Sequence, residues 1–277
     1  MTSRIKILIR NRGFQISSVI IISVIAFGLI GPLFYPNPYA FVGKRYEPPS
    51  SIFLLGTDIL GRDVLALLTI GVRNSLIVGF FAGVIGLLIA VILGVFGSYI
   101  GGLVDDVLNL LTNVFFVLPT VPLLIIISAS TKHRSLLTVA SFIAVTIWPW
   151  ATRSLRAQAL SLKERDFVNL ARISGKGVSR IVLEEILPNM LAYVFTSFCG
   201  IFAGAVMSEA GISMIGLGPT TEETLGTMLH WAIMSQAIHI GIWWWFIPSG
   251  VILIVFTGAL FLLASVMDDI FNPRVQR

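Results

Sequence analysis

The side chains able to break bonds or hold metal are few, and their spacing favours neither. His133, His230 and His239 are the three histidines, none belongs to an H-E-x-x-H pair, and the single cysteine, Cys199, lies inside an apolar run. No serine occupies a G-x-S-x-G elbow, and no two acids share the middle of an apolar stretch. A phosphate-cradling G-x-x-x-x-G-K-[ST] loop is missing as well. Gly175-Lys176 comes nearest, with Leu170 where the first glycine belongs and Gly177 where the hydroxyl residue belongs. One acid stands apart: Glu209 follows 23 uncharged residues. An acid in such a setting is a functional candidate. It could bind a solute, bond to another helix or touch outer water, whereas a proton relay would need further members. Asn113, inside another apolar run, is the second candidate for a solute pathway.

The elements that position these residues follow from composition. Of 277 residues, 56% are hydrophobic and 12% charged, with a mean hydropathy of +0.93. One soluble core of this length cannot bury so much apolar surface, so the chain reads as an all-α, polytopic membrane protein. The net charge of +5 does not point to nucleic acid, because the basic residues flank uncharged runs and act as topology signals.

Six spans are expected, at about 16–34, 74–98, 107–129, 135–152, 186–208 and 241–264. The first is too long for a signal h-region and runs into Gly31-Pro32, so it reads as an uncleaved span. Gly101-Gly102 makes a short turn, and Pro119 and Pro122 predict a kink in the third span. Met228 to Ala237 should lie at the interface, and Trp243-Trp244-Trp245 should open the last crossing. Residues 1–15 then form a cytoplasmic N-terminal segment and 16–277 a single transmembrane domain. The N-terminus, the 153–185 loop and the C-terminal tail carry 13 Lys and Arg against 6 in the opposite loops, which makes both termini cytoplasmic. Gly79-x-x-x-Gly83, Gly97-x-x-x-Gly101 and Gly200-x-x-x-Gly204 favour close packing within the bundle over a dimer motif.

Residues 153–185 are the one long hydrophilic segment, holding seven basic residues among Glu164, Asp166, Glu184 and Glu185. It reads as two short helices, Leu162 to Ile173 and Ser179 to Leu187, broken at Gly175-Lys176-Gly177. Phe167, Leu170, Ala171 and Ser174 share one face, leaving Lys163, Asp166 and Arg172 more exposed. That face needs either a protein partner or an anionic lipid surface, and periodicity does not choose between them.

Resemblance to a known family does choose. Asp166-Phe167-Val168-Asn169-Leu170-Ala171-Arg172-Ile173-Ser174-Gly175, followed by Ile186-Leu187-Pro188-Asn189, resembles the EAA loop of ABC importer permeases. The resemblance implies that Phe167 to Lys176 form a coupling helix and turn that dock on an ATPase. Asn169 replaces the glutamate of the motif, and Ile173-Ser174 replaces its usual Ala-Leu. Leu55 to Leu65, Gly97 to Gly102, Ser208-Glu209-Ala210 through Gly218, and Asp268 to Arg274 are similar to the dipeptide and oligopeptide branch of these permeases. Leu55 to Leu65 also reads as an amphipathic outer helix capped by Asp58, with Arg62 and Asp63 in water. The family implies the type I importer fold, a second permease, two ATPases, an external binding protein and an inner-membrane location. It implies ATP and Mg in the ATPases, with no cofactor on this chain. Short peptides are the expected solute, with oligosaccharides or nickel as alternatives. An ATP-independent carrier or channel would instead place paired charges or broken helices at mid-membrane.

Overall fold

A computed structural model describes residues 8–271, so Arg4 and Lys6 of the N-terminal segment and the Asn272-Pro273-Arg274 motif lie outside the described residues. The fold is helical, with two isolated bridges, Phe41 to Arg62 and Thr57 to Asp63, in place of strands among the described residues. Helix α1 spans Arg12–Ile30 and ends in a 3-10 turn, Gly31–Phe34. Its first turn is capped by Asn11, whose side chain accepts from the Phe14 N–H at 3.2 Å. Helix α2 covers Val64–Val91 and continues through a wide turn, Ile92–Phe96, to Ile100. It starts ten residues before the expected second span, because Asp63 caps it at 2.8 Å from the Leu65 N–H. At about 1.5 Å per residue, its 37 residues exceed the roughly 30 Å hydrocarbon layer.

The third and fourth spans are each broken. Helix α3, Gly102–Val117, meets α4, Thr120–Ala129, at 82°, and α5, Leu136–Ile147, meets α6, Pro149–Lys163, at 49°. The expected kink at Pro119 is therefore a sharp corner: Leu118 before it takes an extended conformation, which a following proline enforces. At the second break Pro149 stands at the first helical position, where its missing N–H costs nothing. Neither break contains a charged residue. Four helices are long and apolar enough to cross a membrane, and six crossings result if each bent pair counts as one.

The polar segment holds α7, Asp166–Ile173, and α8, which runs from Val178–Ile181 through a wide turn to Leu187–Asn189. Helix α9 spans Leu191–Met214, α10 Leu225–Met234 and α11 Trp243–Phe271. The fifth span thus starts at Leu191, later than the expected Ile186, and reaches past Ser208 to Met214.

Helices α2 and α9 form the central pair, with α5 on one side and α1 and α11 on the other. Their close approach depends on glycine. A Cβ on Gly79 would meet Phe202 at 2.7 Å, and one on Gly83 would meet Phe198 at 3.2 Å. Gly200 and Gly204 pack likewise against Trp150 and Ile147, so the small-residue motifs serve packing within the chain. Gly31 lies against Thr69 at the start of α2, while Gly13 lies against Val266 near the end of α11. The start of α1 and the end of α11 therefore share the bundle end that carries the polar loop.

Candidate functional site

The polar loop is built on a hydrophobic core of its own. Leu155 and Ala159 of α6, Val168 and Ala171 of α7, Ile181 and Val182 of α8 and Val95 in the wide turn that extends α2 are all buried together. The expected helix from Leu162 to Ile173 is in fact two, because α6 continues through Lys163 and the chain turns at Glu164 and the extended Arg165. The turn gives α7 its own rotation, so it buries Val168 and Ala171. Phe167 and Asn169 are half-buried, and Leu170, Ile173 and Ser174 face outward. This corrects the expected face: Leu170 is 64% exposed and Ile173 84% exposed. Arg172 is exposed as expected.

Gly175 ends α7. Its φ of +79° lies in the left-handed region, its N–H bonds to the Arg172 carbonyl at 3.0 Å, and the Lys176 N–H bonds to the Ala171 carbonyl at 3.2 Å. Those two bonds are a Schellman cap, for which glycine is the favoured residue. Lys176 then reaches across to α8, donating to Glu185 at 2.6 Å and Glu184 at 2.9 Å. The hydrogen bonds to Glu185 and Glu184 hold the ammonium pKa above its ordinary value, and the Lys176 bond holds the Glu184 carboxyl below its own. Val178 and Leu183 are exposed as well, on a shallow groove of about 510 Å³ that also touches Gly177, Ser179, Arg180 and Glu184. Sequence reasoning did not single out Val178 and Leu183, although their apolar character in a charged segment was a usable signal.

Glu209 sits at the other end of the bundle, near the end of α9, and is fully buried. Ser213 and Thr224 donate to one carboxylate oxygen at 2.6 Å each, and Ser75 of α2 donates to the other at 3.1 Å. Ser75 in turn accepts from the Leu225 N–H at 3.0 Å. The carboxylate therefore ties α2 and α9 to the capped start of α10, a bond between helices of the kind weighed for it. Asn113 lies at the polar-loop end on α3, where its Oδ1 accepts from Arg153 at 2.7 Å. The structure does not bring the two candidate pathway residues together.

The Leu55 to Leu65 segment is not a helix. Gly56 and Gly61 have φ of +61° and +76°, which breaks a helical run twice. Asp58 is buried and folds the turn onto itself, its carboxylate accepting from the N–H groups of Leu60 and Arg62 and from the Arg62 guanidinium at 2.6 Å. Arg62 is also not left in water, since it reaches Glu223 at 3.2 Å. Glu223 and Arg62 join Tyr39, Thr227 and His230 in lining a cavity of about 750 Å³ at this end. The Arg62–Glu223 pair joins positions 161 apart in sequence, which no local pattern could reveal.

Residues 82–277 match the family described as binding-protein-dependent transport system inner membrane component. The chain belongs to that family. The match takes in the whole polar loop and Glu209. A dipeptide transport system permease protein of Haemophilus influenzae is 30% identical, with 97% of this chain and 92% of the relative covered. An oligopeptide transport system permease protein of Bacillus subtilis is 27% identical, with 96% and 87% covered. One from Lactococcus lactis is 30% identical, with 82% and 77% covered. This inner-membrane component is thus a multi-pass transport subunit, as its apolar helices require.

Proposed function

We propose that the chain is one of two permease subunits of an ABC importer for di- or oligopeptides, and that one of the importer's two ATPase subunits docks on Phe167 to Lys176. An external binding protein delivers the solute to the end where Glu209 and the Arg62 turn lie. ATP and Mg are held by the ATPases, since this chain has no phosphate-cradling loop. The observation that carries the reading is the ridge of Leu170 and Ile173, apolar and open on a helix whose opposite face is locked into the bundle. A charged loop end has no use for such a ridge unless a partner covers it. The relatives named as peptide permeases favour peptides over oligosaccharides or nickel as cargo.

The test is replacement of the ridge. Leu170→Asp with Ile173→Asp leaves Val168 and Ala171 in place, so the permease keeps its unfolding temperature in detergent. Covering two such side chains is worth about 3 kcal/mol, so the ATPases should bind roughly a hundredfold more weakly and be lost on purification. Undiminished co-purification would refute the docking assignment.

Orientation is tested separately. Ser50 and Ser174 are both exposed on their loops. A cysteine at position 50 should react with an impermeant maleimide added to intact cells, and one at position 174 only in inverted vesicles. The opposite pattern would turn the proposed topology over.

A further inference from the structure

Helix α3 is held to the bundle in an unusual way. Thr112 is its one buried residue, while Leu103 and Val117 are 83% and 78% exposed, so little apolar packing fixes it. Leu108 against Gly97 and the Phe115 ring 5.3 Å from that of Trp148 supply its apolar contacts, and polar bonds from α6 add the rest. Arg156 grips Asp105 with two bonds, Nε to Oδ1 at 2.9 Å and Nη2 to Oδ2 at 2.7 Å, in a partly buried fork. Arg153, one turn earlier on the same face, donates to Asn113, and its guanidinium lies 3.9 Å from the centre of the Phe116 ring.

The opposite face of α6 belongs to the hydrophobic core of the polar loop. Ala151, Leu155 and Ala159, four residues apart, are buried with Val168 and Ala171 of α7 and with Val95 in the wide turn that extends α2. Gly94 lies so close to α6 that a Cβ there would meet the Thr152 carbonyl oxygen at 2.7 Å. Helix α6 is thus packed on one side to the helix that carries the docking ridge and clamped on the other, by charge, to a helix with little packing of its own. A displacement of α7 that tilts α6 against the α2–α9 pair is then passed by the fork to α3.

We infer that the Arg156–Asp105 fork is the joint through which movement of α7 is passed to α3, and that α3 is a moving wall of the permease. This rests on the reading of α7 as the ATPase-docking helix. Arg156 and Asp105 are positioning residues that act through α6 and α3. Alignment of two charged groups by a fork, in contrast to interdigitated apolar packing, lets the joint tilt without creating a cavity.

The experiment uses the complete importer with its ATPases, Cys199→Ser in the permease, and spin labels on cysteines at Val107 of α3 and Met207 of α9, both exposed positions. The interlabel distance is measured without nucleotide and after trapping with ATP and vanadate. With the fork intact the distance should change by at least about 2 Å, the size of ordinary helix shifts in switching transitions. Asp105→Asn and Arg156→Gln should each abolish the change while the ATPases stay bound and basal ATP hydrolysis continues. The exchanged pair, Asp105→Arg with Arg156→Asp, should restore it. A change that persists in the single variants overturns the joint, and so does a lowered unfolding temperature with the change intact, which is the mark of a merely structural bridge. An intact permease with bound, active ATPases but no distance change overturns α3 as the moving wall. Failure of the unaltered chain to bind ATPases refutes the docking reading and, with it, the drive for the joint.

Discussion

Gly175→Trp is expected to leave the permease folded and inserted in the membrane while reducing peptide uptake to background and stripping the ATPases from the complex. The backbone at Gly175 is left-handed, which costs an L-residue about 1–2 kcal/mol. A Cβ built there meets nothing within 4 Å, so the fold itself offers no steric objection to a side chain. The α7 core beneath, Val168 and Ala171, is untouched. What the indole does obstruct is the space outside the turn, beside Leu170 and Ile173, where a docking ATPase must come close. Gly175→Ala separates the two effects. It carries the same backbone cost without the bulk and should retain most of the uptake. Normal uptake by the tryptophan variant would show that nothing docks at this turn, and a comparable loss in both variants would trace the defect to the cap of α7.

Glu209→Leu should produce a large loss of stability, about 4 kcal/mol, because three buried hydroxyls lose their acceptor at once. The leucine approximates the volume, so the cost arises from unmet hydrogen bonds with little contribution from a cavity. Glu209→Gln keeps an oxygen for Ser213 and Thr224 and forfeits chiefly the Ser75 bond, so it should lose about 1 kcal/mol. The measurement is thermal unfolding in detergent, with the order wild type, glutamine, leucine. Equal unfolding temperatures for all three would remove the structural role and leave solute binding as the explanation of a buried acid. The bonds matter beyond stability because they join α2, α9 and the start of α10 where the solute is proposed to enter.

Several features were legible before any tertiary contact was known. The membrane class follows from composition alone, since no soluble core absorbs 56% hydrophobic residues in 277. The turn at Gly175, the turn at Gly101-Gly102 and the corner at Pro119 are local events, determined by which backbone conformations glycine and proline allow. Glu209 was conspicuous for the same reason: a lone charge in an apolar run is visible in one dimension. Helix limits were less legible. Asp58 and Asp63 both suit a cap, and only the glycines at 56 and 61, both left-handed in the fold, leave Asp63 with the role.

The burial pattern was decided by tertiary structure. In water an apolar periodicity identifies the inner face of a helix, but in lipid the outer face is equally apolar. Val78 is buried and Phe80 half exposed, yet both satisfy the same composition rule. The rotation of α7 shows the same limit in a polar segment: the pattern announces two faces, and the turn at Glu164-Arg165 settles that Val168 points inward and Leu170 outward. Ion pairs are the extreme case. Arg156 and Asp105 are 51 positions apart, and Arg62 and Glu223 are 161 apart. Each of these residues alone looks like an ordinary interfacial charge. Sequence by itself determined that this chain lives in a bilayer and turns where glycine and proline permit. Which charges meet depended on how the helices pack, because electrostatic attraction acts through space and is indifferent to the order of the chain.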